Sequence, residues 1–142
     1  MSRVHVLTFG AFDPLHPGHL WLFEQARLLG DHLIVVVARD GVIRATKHRE
    51  PYLKQDQRLE AIQQTPIVDE AIMGEEEPGS YELLRQLSFD VLVVGYDQQP
   101  SDHNIRSLLS SLKKPHVRVI RLPAYRPQEF KSSFMRKSSS SA

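Results

Sequence analysis

Short apolar runs alternate with amphipathic segments along the chain. The apolar runs are rich in β-branched residues and bounded by turn residues, which predicts strands at residues 4–9, 32–38, 69–74, 90–95 and 117–122. The segments between and after them predict helices at residues 17–30, 53–64, 80–87, 102–114 and 130–137. Strands that alternate with helices favour right-handed crossovers. The pattern therefore predicts an α/β fold: a Rossmann-like, doubly wound parallel sheet of about five strands with helices on both faces.

The composition is typical of one globular domain. The chain has 142 residues, of which 41% are hydrophobic and 25% charged, and a net charge of +1. We expect residues 1–137 to form the domain and the serine-rich residues 138–142 to be a disordered tail. The near-neutral charge gives no general reason to expect nucleic acid or an anionic membrane as partner, so a phosphate ligand would need a local basic site.

Some classes of protein are excluded by what the sequence lacks. There are no cysteines, which rules out disulfides and thiolate chemistry within this chain. No apolar run approaches the roughly 20 residues that span a bilayer, and the first residues lack the apolar core of a signal peptide. We expect a cytoplasmic protein that binds neither membrane nor nucleic acid.

Candidate chemistry is concentrated in residues 8–26, TFGAFDPLHPGHLWLFEQA, where the first strand hands over to the first helix. Ligands of parallel sheets bind outside the carboxyl ends of the strands. His16 falls near the helix N-cap and His19 near the third helical position. Unpaired first-turn amides and the helix dipole favour an anion there, and Gly18 permits close approach.

Two other interpretations of the histidines stay open on these residues alone. His16 could simply cap the helix while His19 is a half-buried surface residue. The pair could also bind zinc, although no third ligand is nearby in the sequence.

The segment GAFDPLHPGH resembles the signature of the cytidylyltransferase-like nucleotidyltransferases, whose hallmark is His-x-Gly-His. His16, Pro17, Gly18 and His19 match it, and Phe12 and Asp13 fit the part before it. Three later segments also resemble the family, in order: KHREPYLKQDQRLEAIQQTPIVDEAIMG, VVGYDQ and KSSFMRK. The segment VVGYDQ is similar to archaeal FAD synthetases in particular. The resemblance covers essentially the whole chain.

The resemblance implies nucleotidyl transfer, in which a substrate phosphate attacks the α-phosphorus of a nucleoside triphosphate and pyrophosphate leaves. An ionised phosphate is already a nucleophile, so positioning and charge stabilisation suffice. His16 and His19 would hold the triphosphate. Lys47, expected on a mobile loop between Arg44 and Arg49 within the polar, basic stretch 39–51, would reach the α-phosphate or the departing oxygens. These three are the catalytic candidates.

The same resemblance implies the binding residues. Those for the nucleotide are Ala11, Phe12, His16, Pro17, Gly18, His19, Asp97, Tyr125, Ser132, Ser133 and Arg136; those for the acceptor are Arg58 and Asp13. Each also has a plain structural interpretation. Lys47 and Arg58 could be solvated charges, Asp97 a turn residue, Tyr125 a rim aromatic, and Ser132, Ser133 and Arg136 a frayed tail.

The first function hypothesis is transfer of AMP from ATP to FMN, giving FAD. The second is a cytidylyltransferase that uses CTP and glycerol 3-phosphate or another small phosphate, and the third is a non-catalytic nucleotide-binding protein. A pantetheine-phosphate adenylyltransferase fits less well, because it lacks the GYDQ segment. We expect Mg²⁺ to arrive with the nucleotide, no metal held by the protein itself, and a homodimer.

Overall fold

A computed structural model describes residues 3–125. Five strands are formed: β1 (His5–Gly10), β2 (His32–Val37), β3 (Glu70–Met73), β4 (Val91–Val94) and β5 (Arg118–Arg121). The helices are α1 (Pro17–Arg27), α2 (Asp40–Lys47), α3 (Gln55–Gln63), α4 (Glu82–Gln86) and α5 (Asp102–Ser111). The predicted helix over 130–137 and the predicted tail lie outside the described residues.

The strands form one parallel sheet in the order β3-β2-β1-β4-β5. The chain moves outward from β1 through β2 to β3, and then returns to the other side of β1 with β4 and β5. The predicted doubly wound fold is therefore confirmed. The direction of winding changes between β1 and β4, and in such sheets the crevice at that change is where ligands bind.

The two faces of the sheet carry separate apolar clusters, because neighbouring residues of a strand point to opposite faces. In β1, Val6 packs in one cluster with Phe23 of α1 and Ile62 of α3. Leu7 packs in the other with Ile105 of α5. Helices thus cover both faces, as the continuous apolar strands predict. No helix among residues 3–125 has the length and apolar character needed to cross a membrane.

Helix α2 corrects one prediction. Lys47 was expected on a mobile loop between Arg44 and Arg49 within the polar, basic stretch 39–51, yet Asp40–Lys47 is helical. Ile43 is 1% exposed and anchors the helix to the rest of the domain. The residue after the helix is its C-cap, His48, whose φ of 57° is left-handed. Lys47 is therefore the last residue of a helix rather than part of a loop.

Candidate active site

A cleft of about 620 Å³ opens at the carboxyl ends of β1, β4 and β5. It brings together most of the residues that the sequence predicted for the site, namely Ala11, Phe12, Asp13, His16, Pro17, Gly18, His19, Lys47, Asp97 and Tyr125. Arg58 does not line the cleft. Ser132, Ser133 and Arg136 lie outside the described residues.

His16 is the N-cap of helix α1. Its Nδ1 atom accepts a hydrogen bond from the backbone amide of Gly18 at 3.1 Å. Pro17 has no amide hydrogen, and the amide of His19 donates to the His16 carbonyl oxygen at 2.9 Å. The first-turn amides are therefore paired with His16, which corrects the expectation that they bind the anion directly. The capping interpretation is right, but it leaves the far side of the imidazole ring to act on a ligand.

His19 closes the cap from the third helical position. Its Nδ1 atom accepts a hydrogen bond from the His16 amide at 3.2 Å. A neutral imidazole that accepts at Nδ1 carries its proton on Nε2. Both rings are thus held in the tautomer that donates from Nε2, on the edge opposite the helix cap.

The pKa values support neutral rings at pH 7. Burial lowers the pKa of His16 below its ordinary value of 6.5. Burial, with a smaller contribution from the neighbouring His16, lowers the pKa of His19 to about 4. The pair therefore offers hydrogen-bond donors without carrying charge in the unliganded protein.

The Phe12 ring packs against the imidazole ring of His19. The two rings meet edge to face, with centroids 5.0 Å apart, and the Phe12 ring packs on Phe23 at 5.3 Å. Phe12 is 5% exposed and has a left-handed φ of 53°. A Cβ atom on Gly10 would lie 2.9 Å from the Phe12 ring, so a side chain at this position would require the ring to shift. The predicted nucleotide contact of Phe12 is thus secondary to its packing role.

Asp13 does not face the cleft as a free carboxylate. It accepts hydrogen bonds from the amides of Tyr52 and Leu53, both at 2.8 Å, and from the Arg49 guanidinium at 3.0 Å. Its side chain is 1% exposed. Burial alone would raise the pKa of this carboxyl, but the three hydrogen bonds outweigh it and hold the pKa below 3.8. In this structure the oxygens of Asp13 hold residues 49–53, so its contact with the acceptor stays a prediction.

Arg58 is also structural. Its side chain is fully buried, and its guanidinium donates to three backbone carbonyls and one carboxylate, those of Leu53, Ala11, Ala38 and Asp40. These contacts tie helix α3 to the segments that follow β1 and β2. The prediction that Arg58 binds the acceptor is contradicted by this burial. Arg58 instead holds the backbone at Ala11, Ala38 and Leu53, next to the cleft.

Two residues that the sequence analysis did not single out shape the loop between β4 and α5. Arg121 donates to the carboxylate of Asp102 and to four backbone carbonyls, those of Gly95, Tyr96, Gln98 and Pro100. Gln98 accepts from the Gly95 amide and donates to the Phe9 carbonyl, both at 2.7 Å. The loop that carries the exposed Asp97 is thereby fastened to both β1 and β5.

Aromatic rings line the cleft near helix α1. The rings of Trp21 and Tyr125 lie 5.1 Å apart between centroids. Tyr125 also approaches the space over Gly18, since a Cβ atom there would lie 3.8 Å from its Cδ2. Trp21, which the sequence analysis did not single out, therefore belongs to the cleft wall.

A family model described as cytidylyltransferase-like matches residues 7–138. The chain belongs to this family. The described cleft of this cytidylyltransferase-like protein lies within the matched range, so the predicted family resemblance is confirmed.

Several relatives of the chain are named FAD synthase, among them those of Thermococcus sibiricus and Methanosarcina barkeri. The chain is 37% identical over 135 residues to the FAD synthase of Thermococcus sibiricus. The aligned region covers 93% of this chain and 89% of that relative. It is 39% identical over 123 residues to the FAD synthase of Methanosarcina barkeri, and the aligned region covers 87% of this chain and 84% of that relative. Together with the family match, these relatives confirm the prediction of a nucleotidyltransferase enzyme.

A solved structure is similar throughout. The crystal structure described as a lipopolysaccharide core biosynthesis protein from Thermoplasma volcanium matches with a TM-score of 0.81 and 31% identity, over 87% of this chain and 99% of that chain. This likeness confirms the fold class of the cytidylyltransferase-like chain.

Proposed function

We propose that this protein transfers AMP from ATP to FMN, forming FAD and releasing pyrophosphate. The observation that carries nucleotidyl transfer is the neutral pair His16 and His19, capped through Nδ1 and placed at the strand ends in a cleft large enough for a nucleotide. Similarity to archaeal FAD synthases supports FMN as the acceptor.

The chemistry needs no general base. An oxygen of the ionised FMN phosphate forms a bond to the α-phosphorus of ATP, and the bond from that phosphorus to the pyrophosphate oxygen breaks. Negative charge grows on the non-bridging α-oxygens and on the leaving oxygen as this happens. Nε2–H donors from His16 and His19 stabilise that charge best when they are already oriented, which the helix cap achieves.

Positive charge in the same cleft complements the histidines. Lys47 ends helix α2 and lines the cleft, and Arg49 follows it within two residues. We propose that the Lys47 ammonium binds the α-phosphate or the leaving oxygens. Because Lys47 belongs to a helix, its backbone is better defined than that of a loop residue. This favours an ammonium that is held in place beside the phosphates over one that a loop movement brings to them.

We propose that the nucleotide base lies beside the pair formed by Trp21 and Tyr125, with Asp97 accepting hydrogen bonds from the ribose or from the adenine amino group. Ring stacking tolerates any base, so discrimination falls to polar groups. The loop fixed by Arg121 supplies Asp97 and backbone groups for that purpose. We therefore propose ATP rather than CTP as the donor.

Three further residues remain in the proposal on sequence grounds. Ser132, Ser133 and Arg136 belong to the segment KSSFMRK, which resembles the family, and would close over the β- and γ-phosphates. We also propose a homodimer, which sedimentation velocity of the purified chain would test.

We propose that Mg²⁺ arrives with the triphosphate. The described cleft offers imidazole donors and cationic side chains, and the Asp13 carboxylate is already engaged. No group of three or more His, Asp or Glu side chains within residues 3–125 is arranged to hold a metal ion. Mg²⁺ prefers phosphate oxygens and waters, and would neutralise the charge of the polyphosphate. Loss of turnover in excess chelator is expected, and full turnover there would contradict this.

The test is to incubate the purified chain with ATP or CTP against FMN, glycerol 3-phosphate and a no-acceptor control. Pyrophosphate release and the nucleotide product are measured together. FAD formed from ATP and FMN, in equimolar amount with pyrophosphate, is the expected result. A CDP-linked product would favour the cytidylyltransferase alternative. Tight nucleotide binding without pyrophosphate release under any pairing would favour the non-catalytic alternative.

A further inference from the structure

The roles found for Asp13 and Arg58 leave the acceptor without a described contact surface. The segment that both residues hold, residues 49–53, carries an aromatic ring next to the cleft. Tyr52 is 74% exposed, compared with 41% for Tyr81 and 49% for Tyr96. A single exposed ring is common on protein surfaces, so the question is what holds this one and where it lies.

The backbone that carries Tyr52 is firmly attached. Its amide and that of Leu53 each donate to an oxygen of Asp13 at 2.8 Å, and Leu53 accepts a hydrogen bond from buried Arg58 through its carbonyl. Buried charged groups therefore fix the peptide while the ring stays in solvent. Such an arrangement presents a ring in one place at little further cost in backbone entropy when a ligand binds.

The ring also adjoins the cleft. The Arg49 guanidinium lies over the Tyr52 ring, 4.5 Å from its centroid. Arg49 itself lines the cleft, as does Lys47. Tyr52 is therefore in contact with a side chain that lines the cleft.

We propose that Arg49 and Tyr52 form an acceptor platform, the binding surface for the non-phosphate end of the acceptor. The platform suits a phosphate ester whose other end is a planar, electron-poor aromatic ring, because such a ring stacks favourably on a phenol. The phosphate of that acceptor then lies near Lys47. This inference rests on the proposed function, since FMN has this chemistry, and it assigns the place where the flavin ring binds.

The experiment uses Tyr52→Ala, Tyr52→Phe and the control Tyr81→Ala in the full-length chain. Quenching of FMN fluorescence without ATP gives the Kd for FMN, and steady-state kinetics give the KM values for FMN and ATP. Tyr52→Ala is expected to raise the Kd and KM for FMN about tenfold, with kcat and the KM for ATP within about twofold of wild type. Tyr52→Phe keeps the ring and is expected to restore both FMN constants, and Tyr81→Ala leaves them unchanged.

Other outcomes separate this inference from the proposed function. If wild type forms FAD and Tyr52→Ala has an unchanged KM for FMN, the platform is wrong and the proposed function stands. If wild type binds FMN through Tyr52 but forms no FAD, the function is wrong and the platform stands. A wild type that neither quenches FMN nor uses it overturns both. Altered sedimentation of Tyr52→Ala with unaltered FMN binding would make Tyr52 a subunit contact, which also overturns the platform.

Discussion

The imidazole rings of His16 and His19 are stacked, with centroids 3.7 Å apart and planes inclined by 24°. Two protonated rings at this separation would repel each other. The hydrogen bonds to both Nδ1 atoms oppose protonation further, because each occupies the lone pair that a proton would take. The helix N-terminus, whose dipole is positive, acts in the same direction. The arrangement therefore selects neutral rings that donate from Nε2.

The first prediction concerns this tautomer. Long-range ¹H–¹⁵N correlation spectra at pH 7 should show both rings protonated at Nε2, with His19 titrating at about pH 4. Because this pKa is lower in the folded state than the ordinary 6.5, the unfolded chain takes up the proton first. Stability contributed by His19 is thus present above pH 6.5 and declines as the pH falls from there towards 4. A His19 ring protonated at pH 6 in the unliganded protein would contradict the assignment.

The second prediction concerns turnover. His19→Ala should keep the fold and lose about a hundredfold in kcat, since one preoriented donor to a developing oxyanion contributes roughly 3 kcal/mol. The matched control is His116→Ala, an exposed histidine that does not line the cleft. Pyrophosphate release and circular dichroism are measured for both. Turnover of His19→Ala within about threefold of wild type would remove His19 from the chemistry.

The third prediction concerns Asp13. Asp13→Asn should lower the free energy of unfolding by roughly 2 kcal/mol, because an amide cannot accept the same set of hydrogen bonds. The lowered pKa of Asp13 means that its contribution is present above pH 3.8 and is lost as the pH falls through the folded-state pKa. Urea unfolding at pH 7 measures the loss, with the exposed Glu76→Gln as control. Equal stability of the two variants would show that the carboxylate is dispensable.

The fourth prediction separates structure from substrate binding at Arg58. Arg58→Met leaves Asp40 and three carbonyls without their partner, and should cost about 3 kcal/mol of folding free energy. Arg106→Met, at an exposed position of α5, should cost little. Thermal unfolding of both is followed beside the KM for the acceptor. An unchanged Tm together with a raised acceptor KM would restore the substrate-binding role that the sequence suggested.

The fifth prediction concerns the loop that carries Asp97. Arg121→Gln removes most of the donors that hold this loop and should raise the KM for ATP about tenfold, while kcat changes little because the histidines lie on α1. Arg118→Gln is the control, since Arg118 is exposed on the same strand. The ratio of ATP to CTP affinity, measured by calorimetry, should fall in Arg121→Gln. A lower Tm with unaltered nucleotide affinity would limit Arg121 to stabilising the fold.

The junction that holds the histidines could be predicted from sequence because its signals are local. An apolar run, a Pro at the first helical position and an amphipathic segment follow each other within residues 4–30. Helix α2 was missed because it is only eight residues long and its small apolar face buries Ile43 among charged and polar neighbours. The order of strands was also out of reach, since alternation predicts crossovers but not which strand lies beside which.

The arginines that hold several carbonyls, Arg58 and Arg121, show a different limit. Arg residues are mostly exposed, so sequence reasoning places Arg58 on the surface. Its burial depends on carbonyls that the fold brings from three separate segments. Arg121 likewise ends a strand, and its hydrogen-bond acceptors lie in residues 95–102. No local sequence pattern predicts these contacts. Long-range pairing of this kind is a property of the folded chain.

Gly10 has a consequence for how this cleft can diverge among related chains. The residue lacks a side chain because the Phe12 ring occupies the space, and that ring in turn supports His19. Even a methyl group at position 10 would press on Phe12, and the displacement would reach the imidazole. The position of the His19 ring thus depends, through Phe12, on the absence of a side chain at Gly10. Substrate preference can change through the outer loops, while position 10 can vary only together with the ring above it.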